Sequence, residues 1–526
     1  MAGHDQEGMP VNGAEQLMRT LADNGVTACF ANPGTTEMQL VAALDTERRI
    51  RPILGLFEGV ATGAADGFAR MSEAPAATIL HLGPGLANGL ANLHNARRAH
   101  SPIVNLVGDH ATWHRDADAP LTSDIESLAG PMSVWVHTTA RAEDLAADGA
   151  AAVTASMEPP GGPATLIIPQ DTAWSDVDAA ALSSPSEPGP RALVSPHHVD
   201  DVARLLREQG ASAVVVLGSA ALRRDGLLAA SRVAAATGCR VVTQGMPSRA
   251  ERGGGLPSFP SVPYFPEQAV ESFADATLMV VAGTTDPVSF FGYPGQPSHP
   301  RPDSCDLVSL AGPEEDAAHA LDALASALDA PASVRTDVEL PPLPHGSAFG
   351  AGELGAALAH LQPEGAVVVD ESITSGMGYS IHAVAAPAHD VLHLTGGAIG
   401  QGLPVAVGAA VACPDRRVIA LQADGSGMYT LQALWTMARE SLDVTVVVLA
   451  NRNYRILQYE LLRAGVAEPG PGAMGLTDLG RPELDWVSLA AGMGVDARRA
   501  TTSDQFVEAL RLSFATAGPT LIEAVI

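Results

Sequence analysis

Short, continuously apolar runs alternate with segments whose apolar residues recur at helical spacing, and the alternation extends along most of the 526-residue chain. In the first third the runs are VTACFANPG, ILGLFEG, AATILHLGPG, SPIVNLVGDH and PATLIIP. They are apolar at successive positions rather than at every second one, as in parallel strands buried on both faces. Between them lie GVATGAADGFARM and NGLANLHNARRAH, whose Gly and Ala residues allow close helix packing. This order predicts a doubly wound α/β domain. The pattern returns with SAVVVLGSAA, CRVVTQG, TLMVVAGTTDP and CDLVSLAG, and again with GAVVVDES, DVLHLTGG, RRVIALQADGSG, DVTVVVLANRN and TLIEAVI. The Pro- and Ser-rich stretch 183–196 and a stretch around 330–349 containing PPLPHGS read as linkers. The expected organisation is three doubly wound parallel-sheet domains, over residues 1–182, 190–338 and 345–526.

Ligands of open parallel sheets bind beyond the C-terminal ends of the strands. NPGTTE, FEGVATG, HLGPGLANG, GDH, DESITSG, TGGAIGQG and ADGSG are all predicted to lie at such ends. Asp424 and Asn451 each follow an apolar run, one strand–helix–strand unit apart, and Asn453 adds a third oxygen. Such ligands suit Mg²⁺, which takes a few protein oxygens and fills its shell with phosphate and water. Gly425 and Ser426 are expected to open a helix through MYTLQALWTMARESL, turning their amides toward the same phosphates. The plainer alternative makes Asp424 a helix cap and Asn451 and Asn453 turn residues.

A net charge of −29 argues against nucleic acid or an anionic membrane as partner. Cys29, Cys239, Cys305 and Cys413 are widely spaced, which indicates neither a disulfide framework nor a zinc site and fits a reducing cytoplasm. The opening MAGHDQEGMP has no apolar segment of a secretory signal, and no run approaches a membrane span. All 30 basic residues are Arg. Schiff-base catalysis and a Walker A phosphate site, both of which need a Lys amine, are therefore excluded.

The stretch from Asp424 to Asn451, with Tyr454 nearby, resembles the thiamine diphosphate signature, although Ala423 stands where most members have Gly. NPGTTE at 32–37, FEGVATGAADGFAR at 57–70, HLGPGLANG at 81–89 and TGGAIGQGLPVAVGAA at 395–410 extend the resemblance over nearly the whole chain. The family is the acetolactate synthase and benzoylformate decarboxylase group of thiamine diphosphate enzymes, in particular the acetolactate synthase-like large subunits. The resemblance implies pyrimidine-binding, central and diphosphate-binding domains in that order, with thiamine diphosphate and Mg²⁺ as cofactors. It implies Glu58 as the acid that activates the cofactor, Ile399 as the residue on which it bends, and the Gly397 carbonyl as acceptor for its amine. Thr374 is implied as a diphosphate ligand, beside Gly425, Ser426 and Asn453, and Asp424, Asn451 and Asn453 as metal ligands. Thr35 stands where benzoylformate decarboxylases have Ser, and Phe290 and Phe291 where some relatives carry a His. His81 is the candidate proton relay, with His110 and His114 as weaker ones.

The implied reaction is attack of the thiamine ylide on a 2-oxo acid and loss of CO₂, followed by protonation or capture of the enamine by a second carbonyl compound. No clamp for a second carboxylate is identifiable, so a small-molecule 2-oxo acid with an apolar side chain is expected ahead of acetolactate synthesis proper. A homodimer or homotetramer with active sites at the subunit interface is implied. FAD is not expected, because the middle domain spans only about 150 residues and lacks G-x-G-x-x-G. Two rivals are a nicotinamide or flavin oxidoreductase built on HLGPGLANGL with Asp109, and a thiamine diphosphate-binding subunit without turnover.

Overall fold

The computed structural model describes residues 11–178, 189–332 and 338–526. Residues 183–188 of the first linker, part of the second, and the opening MAGHDQEGMP lie outside the described residues. Among the described residues three large sheets are present, as the apolar runs predict, beside a two-stranded antiparallel pair of Val11–Asn12 and Asp176–Val177. The first is parallel, in the order Arg51–Leu54, Ala28–Asn32, Ala76–Leu80, Ile103–Asp109, Pro163–Pro169, Trp135–Thr138. The second is also parallel, in the order Arg240–Thr243, Ala213–Leu217, Leu278–Ala282, Asp306–Ala311. The third runs Ala250–Arg252, His389–His393, Ala366–Glu371, Val418–Ala423, Val444–Ala450, Thr520–Val525, Asp496–Ala500.

Successive strand residues feed opposite cores. Ile103 faces one core and Val104 another; Val446 and Val447 divide in the same way. Burial on both faces is what makes these strands continuously apolar. One core is shared between the first and third sheets, through the packing of helix Glu58–Ser72 against helix Gly402–Ala412. Gly67 and Gly408 permit that approach: a Cβ on either would overlap the opposing backbone, at Val405 and Ala64 respectively.

Three strands appear that the apolar runs do not announce, and two local expectations are corrected. Strand Ala250–Arg252, assigned by position to the middle unit, pairs antiparallel with His389–His393 and edges the third sheet. The strands Trp135–Thr138 and Asp496–Ala500 escape the apolar pattern because each has a neighbour on one side only and so keeps exposed polar positions. HLGPGLANG is not a loop, since helix Leu82–Ala99 begins directly after His81. The helix expected through MYTLQALWTMARESL is broken into Asp424–Gly427 and Ala433–Arg439. Between the two, the Thr430 hydroxyl donates to the Gly400 carbonyl at 2.8 Å. This bond and the Trp486 ring, which would lie 2.7 Å from a Cβ on Gly427, turn the chain.

A buried ion pair ties the three units together. Asp66 and Arg70, one helical turn apart, have 0% and 1% exposed side chains. Arg70 donates to Asp66 through Nε at 2.7 Å and Nη2 at 2.5 Å. Its remaining N–H groups reach the carbonyls of His393 at 2.8 Å and Ser248 at 3.3 Å and the Thr395 hydroxyl at 3.1 Å. Removing one member of such a pair strands the other charge, at a cost of about 3–5 kcal/mol. Arg70→Ala is therefore expected to lower unfolding stability by that amount in denaturant titration; a change under about 1 kcal/mol would show that the pair is not needed.

Candidate active site

Loop 395–402 crosses between the first and third sheets and is held from both. From helix Leu82–Ala99, Asn95 donates to the Ala398 carbonyl at 2.7 Å and accepts from the Ala398 amide at 3.2 Å. His94 donates from Nε2 to the Gly396 carbonyl at 3.0 Å, and Asn92 reaches the Gly400 carbonyl at 3.4 Å. From the third sheet, Glu371 accepts from the amides of Gly400 and Gly402, each at 2.5 Å. Gly397 and Gly400 have φ of +77° and +95°, where a side chain would be strained. The loop holds Ile399 half-buried between them.

The oxygen set lies at adjacent strand ends of the third sheet. Asp424 is 3% exposed and accepts from the amides of Gly425 at 2.9 Å and Arg452 at 2.6 Å. The Arg452 guanidinium is ion-paired instead to Glu483 at 3.0 Å. Burial raises the Asp424 carboxyl above its ordinary range, against the pull of these amides. Asn451 Oδ1 accepts from the Asn453 amide at 2.9 Å, and Asn453 Oδ1 from Gln458 at 3.0 Å. Every one of these oxygens keeps a further lone pair, so the donor set is hard and suits a small divalent cation. Asn451 Nδ2 donates to the Ser375 hydroxyl at 3.3 Å, which brings the half-buried Thr374 and its neighbours beside the set. The Ser426 hydroxyl is buried and accepts from Gln422 at 2.5 Å.

In the first unit, His81 Nδ1 donates to Glu37 Oε2 at 2.8 Å and lies 3.2 Å from the Thr36 hydroxyl. Glu37 is fully buried and also accepts from the Gly34 amide at 2.8 Å and from Thr36. Thr35 is exposed at the head of the same turn, so the hydroxyl that meets the histidine belongs to Thr36. Glu58, 9% exposed, opens helix Glu58–Ser72 and accepts from Asn88 at 3.0 Å. Asn88, Asn92 and Asn95 thus carry contacts to Glu58 and to loop 395–402 along one helix. His110 and His114 pack edge to face, 5.4 Å apart, just past strand Ile103–Asp109. From the middle unit Phe290 lies over the loop, its Cζ 2.6 Å from where a Cβ on Gly397 would be, and packs on Phe291 and Tyr264.

Residues 11–128 match the family model described as thiamine pyrophosphate enzyme, N-terminal TPP binding domain, and residues 374–524 match its C-terminal TPP binding domain. The chain is 51% identical over 523 residues to the acetolactate synthase-like large subunit IlvX of Mycobacterium tuberculosis, covering 98% of this chain and 99% of the relative. It is 31% identical to benzoylformate decarboxylase of Pseudomonas aeruginosa, covering 96% of each. The solved thiamine diphosphate-dependent 4-hydroxybenzoylformate decarboxylase of Rhodococcus jostii superposes with a TM-score of 0.86 at 25% identity, over 98% of both chains. The chain belongs to the thiamine pyrophosphate enzyme family.

In this thiamine pyrophosphate enzyme three residues outside any expected ligand set mark the same loops. Leu82, Ile373 and Arg452 adopt left-handed φ of 49°, 54° and 57° without being glycine. They adjoin His81, Thr374 and the Asn451–Asn453 pair. A left-handed backbone costs roughly 1–2 kcal/mol in an L-residue and persists only where surroundings enforce it, commonly at binding sites. Glu37 and Glu371, both buried carboxylates, were not singled out by the sequence reading. Their signals were an acid three residues after Gly34 and an acid ending the apolar run AVVVDE.

The His81 geometry depends on Gly34, since a Cβ there would overlap the imidazole. Gly34→Ala is expected to push the ring off Glu37 while the fold persists. Imidazole ¹⁵N NMR reads this as loss of the hydrogen-bonded Nδ1–H signal; an unchanged signal would show that the ring does not rest on Gly34.

Proposed function

We propose that this enzyme decarboxylates a 2-oxo acid with an apolar side chain, releasing an aldehyde or joining the product to a second carbonyl compound. The observation that carries the reading is loop 395–402, held at Gly400 and Gly402 by the sheet whose strand ends bear the oxygen set, and covered at Gly397 by Phe290, which packs on Phe291 and Tyr264. Asp424, Asn451 and Asn453 would hold Mg²⁺, with Thr374, Gly425 and Ser426 on the diphosphate side. Loop 395–402 would seat the rings over Ile399, with the Gly397 carbonyl toward the amine. Bound there, thiamine diphosphate supplies a carbon nucleophile and an electron sink for loss of CO₂.

The chain's own residues supply position and protons. Glu58 is sheltered at the head of its helix with one oxygen held by Asn88, leaving the other to exchange a proton with the cofactor's pyrimidine. Because Glu37 accepts from His81 Nδ1, the Nε2 of the neutral ring is left as an acceptor for a proton on substrate or product. The rings of Phe290, Phe291 and Tyr264 favour an apolar or aryl side chain, in keeping with the benzoylformate and 4-hydroxybenzoylformate decarboxylases among the relatives. Likeness to IlvX favours acetolactate synthesis as the second reading. A second copy of the chain would complete the site, Glu58 of one serving the cofactor of the other. Met377 and Ile381, 68% and 67% exposed on the short helix after Thr374, support such covering.

Asp424→Ala is expected to abolish Mg²⁺-dependent binding of thiamine diphosphate in isothermal titration while leaving far-UV circular dichroism intact; unchanged affinity would remove the metal assignment. The reaction is tested by product analysis with pyruvate and with aliphatic and aryl 2-oxo acids, each with and without an aldehyde acceptor. Larger apolar acids should turn over faster than pyruvate, and Glu58→Gln should bind cofactor yet lose at least about 10²-fold in turnover. Rapid acetolactate formation from pyruvate alone would reverse the ranking.

A further inference from the structure

Glu371 ends strand Ala366–Glu371 and is 1% exposed. One carboxylate oxygen accepts from the Gly400 amide and the other from the Gly402 amide, both at 2.5 Å, and Gln422 Nε2 donates to the latter oxygen at 3.2 Å. The grip therefore spans both sides of Gln401. Gly402 begins the eleven-residue helix Gly402–Ala412, whose N-terminal amides favour the charged form.

We propose that Glu371 is a positioning residue whose ionised carboxylate fixes the turn at Gly400–Gly402, and with it the presentation of Gly397 and Ile399 to the cofactor. The inference rests on the reading of loop 395–402 as the cofactor's seat.

The groups around Glu371 make its ionisation decisive. On its own strand Asp370 turns away to the amide and hydroxyl of Ser372. On the neighbouring strand His393 stands level with Asp370, not with Glu371. Arg70 stops at Gln401 Oε1, 3.4 Å away, and Asp424 is held by main-chain amides. Among the described residues no cation is bonded to Glu371, and burial pushes its carboxyl up to about 7 against the amides of Gly402 and Gly400. A carboxylate offers an acceptor to each amide, whereas a protonated acid must aim its O–H elsewhere. Gln422 Oε1, buried and without a partner among the described residues, can receive that O–H after the amide side chain rotates. One loop amide is then released. The folded-state value is raised, so ionisation of Glu371 withdraws stability as pH climbs through about 7. The shaped loop and the more stable protein thus lie on opposite sides of that pH.

The test uses the full ligand-free chain and hydrogen exchange over residues 396–402, corrected for intrinsic rates, at pH 6 and pH 8. Wild-type protection should be about tenfold greater at pH 8, as expected for one hydrogen bond to a charged acceptor, and Glu371→Gln should exchange fast at both values. Calorimetric titration with thiamine diphosphate and Mg²⁺ should show Glu371→Gln binding about tenfold more weakly at pH 8, with the difference from wild type shrinking at pH 6. Retained protection in Glu371→Gln, or an affinity difference equal at both pH values, overturns the proposal. Should that variant not fold, the wild-type exchange at the two pH values decides alone, equal protection overturning it. Wild type that fails to bind thiamine diphosphate would refute the cofactor reading, while the exchange result still judges Glu371.

Discussion

A carboxylate removed from water and, among the described residues, neutralised by no ion pair governs this structure. Asp424 is buried at the end of a central strand, and both its oxygens are met by main-chain amides, from Gly425 and from Arg452. Amides moderate the cost of desolvating a charge without cancelling it. Presenting the Arg452 amide takes a left-handed backbone at that residue, flanked by Asn451 and Asn453. The local strain, the burial and the orientation of two asparagines therefore have one physical account: a concentration of hard oxygen at the strand-end edge of the sheet, a donor set that would suit a divalent cation.

The rest of the site is arranged around that edge by contacts between units. Helix Leu82–Ala99 acts as a spacer, with Asn88 on Glu58 and Asn92, His94 and Asn95 on the loop of the third sheet. Arg70 locks the base of the same loop to its own helix and to the middle unit. Phe290 reaches over Gly397 from the middle unit, so all three units make contacts with loop 395–402. Close helix packing at Gly67 and Gly408 lets the first and third sheets share a core, and that shared core holds the two halves of the site in register.

Much of this was legible in the sequence because buried parallel strands are apolar without interruption. The runs ending at Asn32, Leu80, Asp109, Glu371 and Ala450 are all strands here. Edge strands such as Asp496–Ala500, DARRA, carry too many charges to show the same signal. The pairing of Ala250–Arg252 with a distant strand is a long-range fact that local pattern does not contain. Asp424 and Asn451 stood out by type and spacing, and Glu58 through the resemblance of FEGVATGAADGFAR to the family. Glu37 and Glu371 did not, since a carboxylate's burial and its hydrogen-bond partners are set by tertiary neighbours, and Thr36 became distinguishable from Thr35 only once the turn was formed.

The central claim is that the oxygens of Asp424, Asn451 and Asn453 enclose a divalent cation that anchors a diphosphate. The most direct measurement is anomalous diffraction from crystals grown with Mn²⁺ and thiamine diphosphate. An anomalous peak within about 2.0–2.3 Å of oxygens from all three residues, with diphosphate oxygens completing the shell, is the predicted result. A peak elsewhere, or ordered cofactor with no metal at these residues, would contradict it.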